Sequence, residues 1–261
     1  MDFFKKVDNI NDDLYWNIPE RAQGTVNIIG GNLQNFRTPV KIAEFFSSKY
    51  PIESTKLVLP DALKNKLPPL PNLIFLKSTD SGSLADKEEI VSAINAADYN
   101  LVIGDLSKNS ITEKALASAY GNITKPTLIT RDAVDSLANV AIENTLLNEN
   151  LVIMGSMVQL QKLFKAIYYP KMLLLSSPLS SVVEILHKFT LSYPVALVTL
   201  HNGQVLIAKD GAVRAIDLGK TSFSPISFWS GELAAKIVAL NLYNPNNFID
   251  ATISAIASAQ Y

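Results

Sequence analysis

The sequence predicts an α/β fold whose sheet is mostly parallel and ends in an antiparallel meander. From residue 23 to about residue 192, short apolar strands alternate with amphipathic helices, which is typical of a parallel sheet covered on both faces. The segment 195–218 then contains three short strands joined by Asn202-Gly203 and Asp210-Gly211, dipeptides that suit two-residue hairpin turns. We therefore expect a three-layer αβα architecture.

The first half of the chain supplies most of the parallel strands. The predicted strands are TVNIIGG (25–31), KLVLP (56–60), NLIFLK (72–77) and YNLVIGD (99–105). A helix is expected to start at Thr38-Pro39, because proline in the first helical position gives up no needed donor. Segment 86–97 reads as a helix with acidic residues in its first turn. Ser110 and Glu113 predict a capping box for the next helix.

The second half continues the alternation. The predicted strands here are PTLIT (126–130) and NLVIMG (150–155). Asp132 is expected to open one helix, and Ser156 with Gln159 forms a second capping box. The remaining predicted helices are 180–192, 231–243 and 245–260.

Composition excludes several classes of protein. The 261 residues include no cysteine and two histidines, so disulfides, thiolate chemistry and a histidine-rich metal site are not expected. A net charge of −1 without a basic block argues against nucleic-acid binding. No apolar stretch predicts a signal peptide or a membrane span, so we expect a cytoplasmic protein. We predict one domain over residues 23–261, preceded by an arm or helix over 1–22.

The segment FWSGELAAKIVAL (228–240) is the most informative for chemistry. Ser230 and Gly231 directly precede a helix whose second or third residue is expected to be Glu232. Free N–H groups at a helix start bind anions, and a carboxylate beside them can remove a proton from a hydroxyl group held next to a phosphate. An acidic residue in a first turn is also common without any catalytic role.

The order of these motifs resembles the ribokinase-like superfamily and, within it, the ADP/ATP-dependent NAD(P)H-hydrate dehydratases, over roughly residues 23–260. Five family motifs have counterparts in this chain. In chain order, with the family pattern after each segment, they are NIIGGN (27–32) for VIGGS, IGDLSK (103–108) for IGPGLG, LITRDAV (128–134) for LDADAL, TLHNGQVLIA (199–208) for VLKGAGTVIA, and FWSGELAAK (228–236) for GGSGDVLAG.

This resemblance implies a hydro-lyase that uses ADP or ATP, with Mg²⁺, to remove water from hydrated NADH or NADPH. Glu232 takes the place of the family's catalytic base. The implied nucleotide-binding residues are Ser230, Gly231, His201, Asn202 and Gly203. The implied substrate-binding residues are Gly30, Gly31, Asn32, Gly104, Asp105 and Asp132. A homo-oligomer is also implied.

The chain departs from the family at the same motifs. Glu232 replaces an aspartate, His201 replaces a lysine, and Phe228-Trp229 replace two glycines, whose loss adds bulk where the backbone approaches a phosphate. Two alternatives therefore stay open. One is a catalytically inactive binding or assembly protein with the same fold, and the other is a small-molecule kinase that transfers phosphate to an alcohol.

Overall fold

A computed structural model describes residues 2–7, 18–68, 72–140, 143–220 and 225–257. Its strands are β1 (Phe4–Lys6), β2 (Thr25–Gly30), β3 (Ser54–Pro60), β4 (Leu73–Leu76), β5 (Tyr99–Gly104), β6 (Thr127–Thr130), β7 (Leu151–Met154), β8 (Ala196–His201), β9 (Gln204–Lys209) and β10 (Ala212–Asp217). Its α-helices are α1 (Arg37–Lys49), α2 (Lys87–Asn95), α3 (Ser110–Tyr120), α4 (Asp132–Val140), α5 (Met157–Ala166), α6 (Leu179–Ser192), α7 (Pro225–Ser230), α8 (Glu232–Tyr243) and α9 (Phe248–Ala257).

The described strands form one sheet in the order β1-β10-β9-β8-β7-β6-β5-β2-β3-β4. Strand β9 is antiparallel to its neighbours β8 and β10, and the other described strand pairs are parallel. The prediction of a mostly parallel sheet with an antiparallel meander is therefore confirmed. The carboxyl ends of β2, β5, β6, β7 and β8 lie at one edge, where open α/β sheets bind ligands.

Helices cover both faces of the sheet, which makes the three predicted layers. Helices α2 to α6 pack on one face, where the rings of Phe164 and Phe189 stack at a centroid distance of 4.1 Å. Helices α1 and α7 to α9 pack on the other face, around the fully buried Phe46 and Phe228. Every residue of β5 is buried, because a strand covered on both sides has no solvent-facing positions.

The two predicted hairpin turns are present. Asn202 and Gly203 have φ angles of 47° and 76°, and Asp210 and Gly211 have 51° and 77°. Both central residues of each turn are thus left-handed, as a type I′ turn requires. These turns place β9 antiparallel between two strands of the same direction.

Some helix starts differ from the prediction. Helix α1 begins at Arg37, so Pro39 is its third residue. The Ser110–Glu113 capping box is wrong: Asn109 is the N-cap of α3, and its side-chain oxygen accepts a hydrogen bond from the Ile111 N–H at 2.8 Å. Asparagine is among the best N-cap residues, and here it takes the position one residue before the serine. The Ser156–Gln159 capping box is confirmed.

The chain ends lie only partly within the described residues. Within the predicted arm, Phe4–Lys6 form an edge strand that pairs in parallel with β10, while residues 8–17 lie outside the described residues. Residues 258–260 of the last predicted helix also lie outside them. The longest described helix, α6, has 14 residues, and no helix in the described ranges is both long and apolar enough to span a bilayer.

Candidate functional site

Three loops meet at the carboxyl edge of the sheet and form what we call the strand-end cluster. The cluster consists of Gly30, Gly31, Asn32, Gly104, Asp105, Arg131 and Asp132. These residues follow or end β2, β5 and β6, which are neighbours in the sheet, so their loops come together. The structure thus brings together all six residues of the predicted substrate set.

The first two loops are held together by their backbones and one amide side chain. The N–H of Gly31 donates to the carbonyl of Gly104 at 3.0 Å, and a Cβ atom on Gly30 would lie 2.4 Å from that carbonyl oxygen. Asn32 Nδ2 donates to the carbonyl of Asp105 at 2.5 Å, while Asn32 Oδ1 accepts bonds from two N–H groups of its own loop. The side chain of Asn32 therefore connects loops and is not free to bind a ligand.

Asp105 carries a buried carboxylate that is paired within the protein. Its side chain is 3% exposed, and its Oδ1 accepts a hydrogen bond from Arg131 Nη2 at 2.8 Å. Its Oδ2 accepts from the N–H of Thr38, near the start of α1, at 3.3 Å. Both Asp105 and Arg131 have a left-handed backbone, with φ angles of 56° and 58°. This charge pair fixes the β5 and β6 loops to each other and to α1.

Asp132 differs from Asp105 because half of its carboxylate has no partner. As the first residue of α4, it accepts a hydrogen bond at Oδ2 from the N–H of Leu106 at 2.7 Å. Its Oδ1 is buried and accepts no hydrogen bond from the described residues. The pKa of Asp132 is raised from 3.8 to about 6, chiefly by burial and also by the nearby negative charge of Asp105. The hydrogen bond from the Leu106 N–H lowers the pKa and so opposes part of this shift. A carboxyl group whose pKa approaches neutrality can both take up and release a proton at physiological pH.

Gly104 makes room for this carboxylate. A Cβ atom at position 104 would lie 2.0 Å from Asp132 Oδ1, and the φ angle of 95° at this residue strains any L side chain. Packing therefore requires a glycine at position 104 of the Ile-Gly-Asp strand end, whether or not a ligand binds there.

A polar cavity of about 220 Å³ opens beside Asp132 on the face of α3 to α5. Its lining includes Ser107, Thr112, Asp132, Asp135, Ser136 and Lys162. Thr112 is fully buried, and its hydroxyl has no partner among the described residues. Asp135 accepts a hydrogen bond from Gln159 at 3.0 Å, and its carboxylate lies 3.5 Å from Lys162 Nζ. The negative charge of Asp135 is therefore paired with a lysine.

The amino end of α8 lies next to the strand-end cluster. Gly231 is the N-cap with a left-handed φ of 94°, and a Cβ atom there would meet the Cδ1 of Ile103 at 2.6 Å. Ile103 directly precedes Gly104 in β5, which links α8 to the cluster. Glu232 is the first residue of the helix, rather than the second or third, and its N–H lies 3.3 Å from Ser230 Oγ. Gly231 has no side chain to cap the other first-turn N–H groups.

Glu232 faces solvent and a lysine from another helix. Its Oε1 lies 3.4 Å from Lys41 Nζ of α1, and the two side chains are 38% and 70% exposed. An exposed pair of this kind contributes about 0–1 kcal/mol to stability. The carboxylate is therefore accessible and only weakly restrained.

Phe228 and Trp229 belong to the short helix α7, at the positions where the family motif has two glycines. Phe228 is fully buried in the core beneath α8, and its ring contacts Trp229 edge-on at a centroid distance of 4.4 Å. The phenylalanine ring is thus part of the core. Trp229 is half-buried at the end of the same helix.

The β8–β9 turn lies at the same edge but farther along the sheet. His201 is 3% exposed, and its Nε2 lies 3.0 Å from the carbonyl of Ser177 and 3.2 Å from Asn202 Nδ2. Asn202 and Gly203 are exposed at the turn. Strands β6 and β7 separate β8 from β5, and the hydrogen bonds of His201 to Ser177 and Asn202 do not reach the strand-end cluster or α8.

Comparison with known proteins bears on the fold. No protein-family model matches the sequence, and no curated protein matches it either. A ribokinase-like superfamily protein from Enterococcus faecalis superposes on the whole chain with a TM-score of 0.69 at 13% identity, over 87% of its own length. The chain has a ribokinase-like fold.

Two further ribokinase-like neighbours extend the comparison. A hypothetical protein from Streptococcus mutans has a TM-score of 0.67 at 16% identity, over 97% of this chain and 88% of its own. The ADP/ATP-dependent NAD(P)H-hydrate dehydratase from Bacillus subtilis, co-crystallised with ATP and Mg²⁺ and soaked with CoA, has a TM-score of 0.60 at 13% identity. That match covers 95% of this chain and 85% of the dehydratase. At these identities the likeness establishes the fold, and activity has to be argued from the site.

Two charged residues of the candidate site were missed by sequence reasoning. Arg131 pairs with the buried Asp105, and Lys41 pairs with Glu232. The signal for Arg131 was its position between the end of β6 and Asp132, but its partner lies 26 residues away. Lys41 and Glu232 are 191 residues apart, so no local pattern connects them.

The described residues do not build a metal centre of their own. Within these ranges, no group of three or more histidine, aspartate and glutamate side chains is arranged to hold a metal ion. Magnesium in phosphate sites is commonly held by one or two carboxylates together with the phosphates themselves.

Proposed function

We propose that this ribokinase-like protein binds ADP or ATP at the amino end of α8 and acts as a hydro-lyase on hydrated NADH or NADPH. The observation that carries the proposal is the Gly231 N-cap, which supplies no side-chain cap to the first turn of α8, directly before the accessible carboxylate of Glu232. This helix start lies beside the strand-end cluster, at the edge where ligands of α/β proteins bind. The resemblance of the sequence motifs to NAD(P)H-hydrate dehydratases supplies the substrate.

The residues present fit a nucleotide phosphate. The first-turn N–H groups of α8 and the positive end of its dipole attract anionic oxygens. Any side chain at position 231 would strain the left-handed backbone and contact Ile103, so packing requires glycine at this helix start. Lys41 lies close enough to Glu232 to lend positive charge to the same region.

The proposed chemistry divides between two carboxylates. A bound nucleotide, with its Mg²⁺, would supply the phosphoryl group: ATP would give ADP, or ADP would give AMP, and the ring hydroxyl would become a phosphate ester. Glu232 would remove the hydroxyl proton during this transfer. The phosphate would then leave with the C–O electron pair, and the ring would lose the proton that restores its double bond. Asp132, with its unpaired Oδ1 and a pKa raised to about 6 by burial, holds or exchanges a proton on the opposite side of the cluster. The buried Asp105–Arg131 pair keeps these loops in position.

The ion pair of Glu232 with Lys41 favours a second candidate, a nucleotide-binding protein without turnover. The carboxylate of Glu232 lies against a lysine, and the longer glutamate side chain stands where the family has aspartate. In this case the phosphate site would be kept and the proton transfer lost.

Nucleotide binding is tested first, by thermal unfolding with ADP or ATP, each with and without Mg²⁺. A ligand at about 100 times its Kd stabilises the folded state by about 2.7 kcal/mol. For a protein of this size, that corresponds to a rise in Tm of roughly 5–10 °C. If neither nucleotide raises the Tm, both candidate functions are wrong.

Catalysis is tested by the recovery of NADH absorbance from hydrated NADH. We expect Glu232→Gln to keep the nucleotide-induced rise in Tm and to lose turnover by about 100-fold or more. Glu44→Gln removes another exposed carboxylate, also near Lys41 in α1, and should leave turnover unchanged. Nucleotide binding without any dehydration by the wild type would support the non-catalytic candidate. Transfer of phosphate to an added alcohol would instead identify a kinase.

The family resemblance also leads us to propose a cytoplasmic homo-oligomer. Light scattering of the purified chain measures its mass directly. A particle of 28.5 kDa at working concentration would exclude self-association.

A further inference from the structure

A second cavity, of about 540 Å³, lies at the opposite edge of the sheet. It is formed where β5, β6 and β7 begin, where β9 ends, and where α8 passes into α9. The lining of the cavity includes Tyr99, Asn241, Lys209 and Phe248, and Asp98 and Glu149 lie at its rim. This volume is in the usual range for small-molecule sites, which is about 300–1,000 Å³. The strand-end cluster is at the other end of the same strands, so the two sites are separate.

Two buried polar side chains line this cavity without complete hydrogen bonding. Tyr99 is 4% exposed, and its hydroxyl forms no hydrogen bond with the described residues. Asn241 is 3% exposed, and its Nδ2 donates back to the carbonyl of Ile237 at 2.8 Å and towards Thr252 Oγ1 at 3.3 Å. Those bonds occupy the amide nitrogen and leave Asn241 Oδ1 for the cavity. Polar groups that line a cavity without a partner in the protein are available to a small molecule that enters it.

The other walls suit a flat ring. Tyr99 and the buried Phe248 supply aromatic surface, and Lys209 Nζ lies 5.4 Å from the centroid of the Phe248 ring. Aromatic walls with few polar groups are typical of sites that bind heterocycles. The exposed carboxylates of Asp98 and Glu149 at the rim disfavour an anion.

We propose that this cavity binds a flat, uncharged nitrogen heterocycle that carries N–H donors, such as a purine base. The N–H groups donate to Asn241 Oδ1 and to the Tyr99 hydroxyl, and the ring packs between Tyr99 and Phe248. A ring nitrogen accepts from Lys209 or from the Tyr99 hydroxyl. This site does not depend on the proposed dehydratase chemistry.

Adenine is the probe, because it has no phosphate to occupy the helix start of α8. Titration of the ¹⁵N-labelled full chain should shift the amide resonances of Tyr99, Asn241 and Phe248 and leave those of Gly104 and Gly231 unchanged. Asn241→Leu removes the acceptor with an apolar side chain of similar size and should weaken adenine binding by about tenfold. Tyr99→Phe should weaken it by about fivefold.

The matched control is Tyr243→Phe. Tyr243 also carries a buried hydroxyl without a partner in the described ranges, but it does not line the cavity, so its loss should leave the adenine affinity within about twofold. Glu232→Gln should likewise leave adenine binding intact. The proposal is overturned if adenine causes no shifts up to its solubility limit, if the shifts cluster at Gly104 and Gly231, or if folded Asn241→Leu and Tyr99→Phe both bind as the wild type does.

Discussion

Replacing Asp132 by asparagine should stabilise the protein at alkaline pH and remove part of its pH dependence. The folded state raises the pKa of this carboxyl group from 3.8 to about 6, chiefly because the group is buried. The folded protein therefore holds this proton more tightly than the unfolded chain does. The resulting stabilisation is full below the unfolded pKa of 3.8 and is lost as the pH rises through about 6.

The size of the effect follows from the shift. A difference of about two pKa units corresponds to about 3 kcal/mol between the protonated and ionised states. Asparagine is neutral at every pH, and the shift already includes the opposing effect of the Leu106 N–H on the ionised carboxylate. We therefore expect Asp132→Asn to be about 3 kcal/mol more stable than the wild type at pH about 8, with a Tm roughly 6–12 °C higher.

Urea unfolding across the pH range from about 4 to about 8 measures this difference directly. The gain should shrink towards zero at the acid end, where the wild-type carboxyl group is itself protonated. Asp80→Asn, at an exposed position, should show no such pH-dependent gain. A loss of stability in Asp132→Asn that is equal at both ends of the range would refute the conclusion that Asp132 is buried with an unpaired oxygen.

Two further substitutions test the site. Arg131→Met leaves the buried Asp105 unpaired and should cost about 2–4 kcal/mol, less than a fully buried pair because Arg131 is 30% exposed. The addition of Asp105→Asn should recover part of the lost Tm, and a double variant no more stable than Arg131→Met would contradict the pairing. Gly231→Ala should lower the Tm and reduce the nucleotide-induced rise, because a Cβ atom there is both strained and 2.6 Å from Ile103 Cδ1. Gly211→Ala is the control, since its φ of 77° carries the same strain and a Cβ atom there would lie 2.7 Å from Leu191 Cδ2, in the β9–β10 turn at the opposite edge of the sheet; an equal nucleotide response in both variants would remove Gly231 from the phosphate site.

The fold could be predicted because local patterns in this chain agree with it. Strands such as β5 are apolar throughout, since both of their faces are covered, and the Asn-Gly and Asp-Gly turns fix the antiparallel meander. Parallel strands also bring their carboxyl ends to one edge. This rule agrees with the family resemblance, which implied that Gly30, Asp105 and Asp132 belong to one site.

The errors of prediction have local causes. Asn109 and Ser110 are both good capping residues, and the sequence does not tell which of two adjacent candidates takes the N-cap position. The place of the Phe228 ring could not be predicted either, because it depends on the direction in which the side chain points. Packing beneath α8 decided that this ring is in the core.

By itself, the amino-acid sequence determined the three layers, the direction of the strands and the chemistry available at each strand end. Only the tertiary structure decided which of those polar groups are paired: Asp105 with Arg131, Glu232 with Lys41, and one oxygen of Asp132 with no described partner. The same holds for Tyr99 and Asn241, which meet at the far cavity from 142 positions apart in the numbering. The physical reason is that periodicity reports which face of an element is buried, whereas pairing depends on side-chain directions fixed by the packing of distant elements.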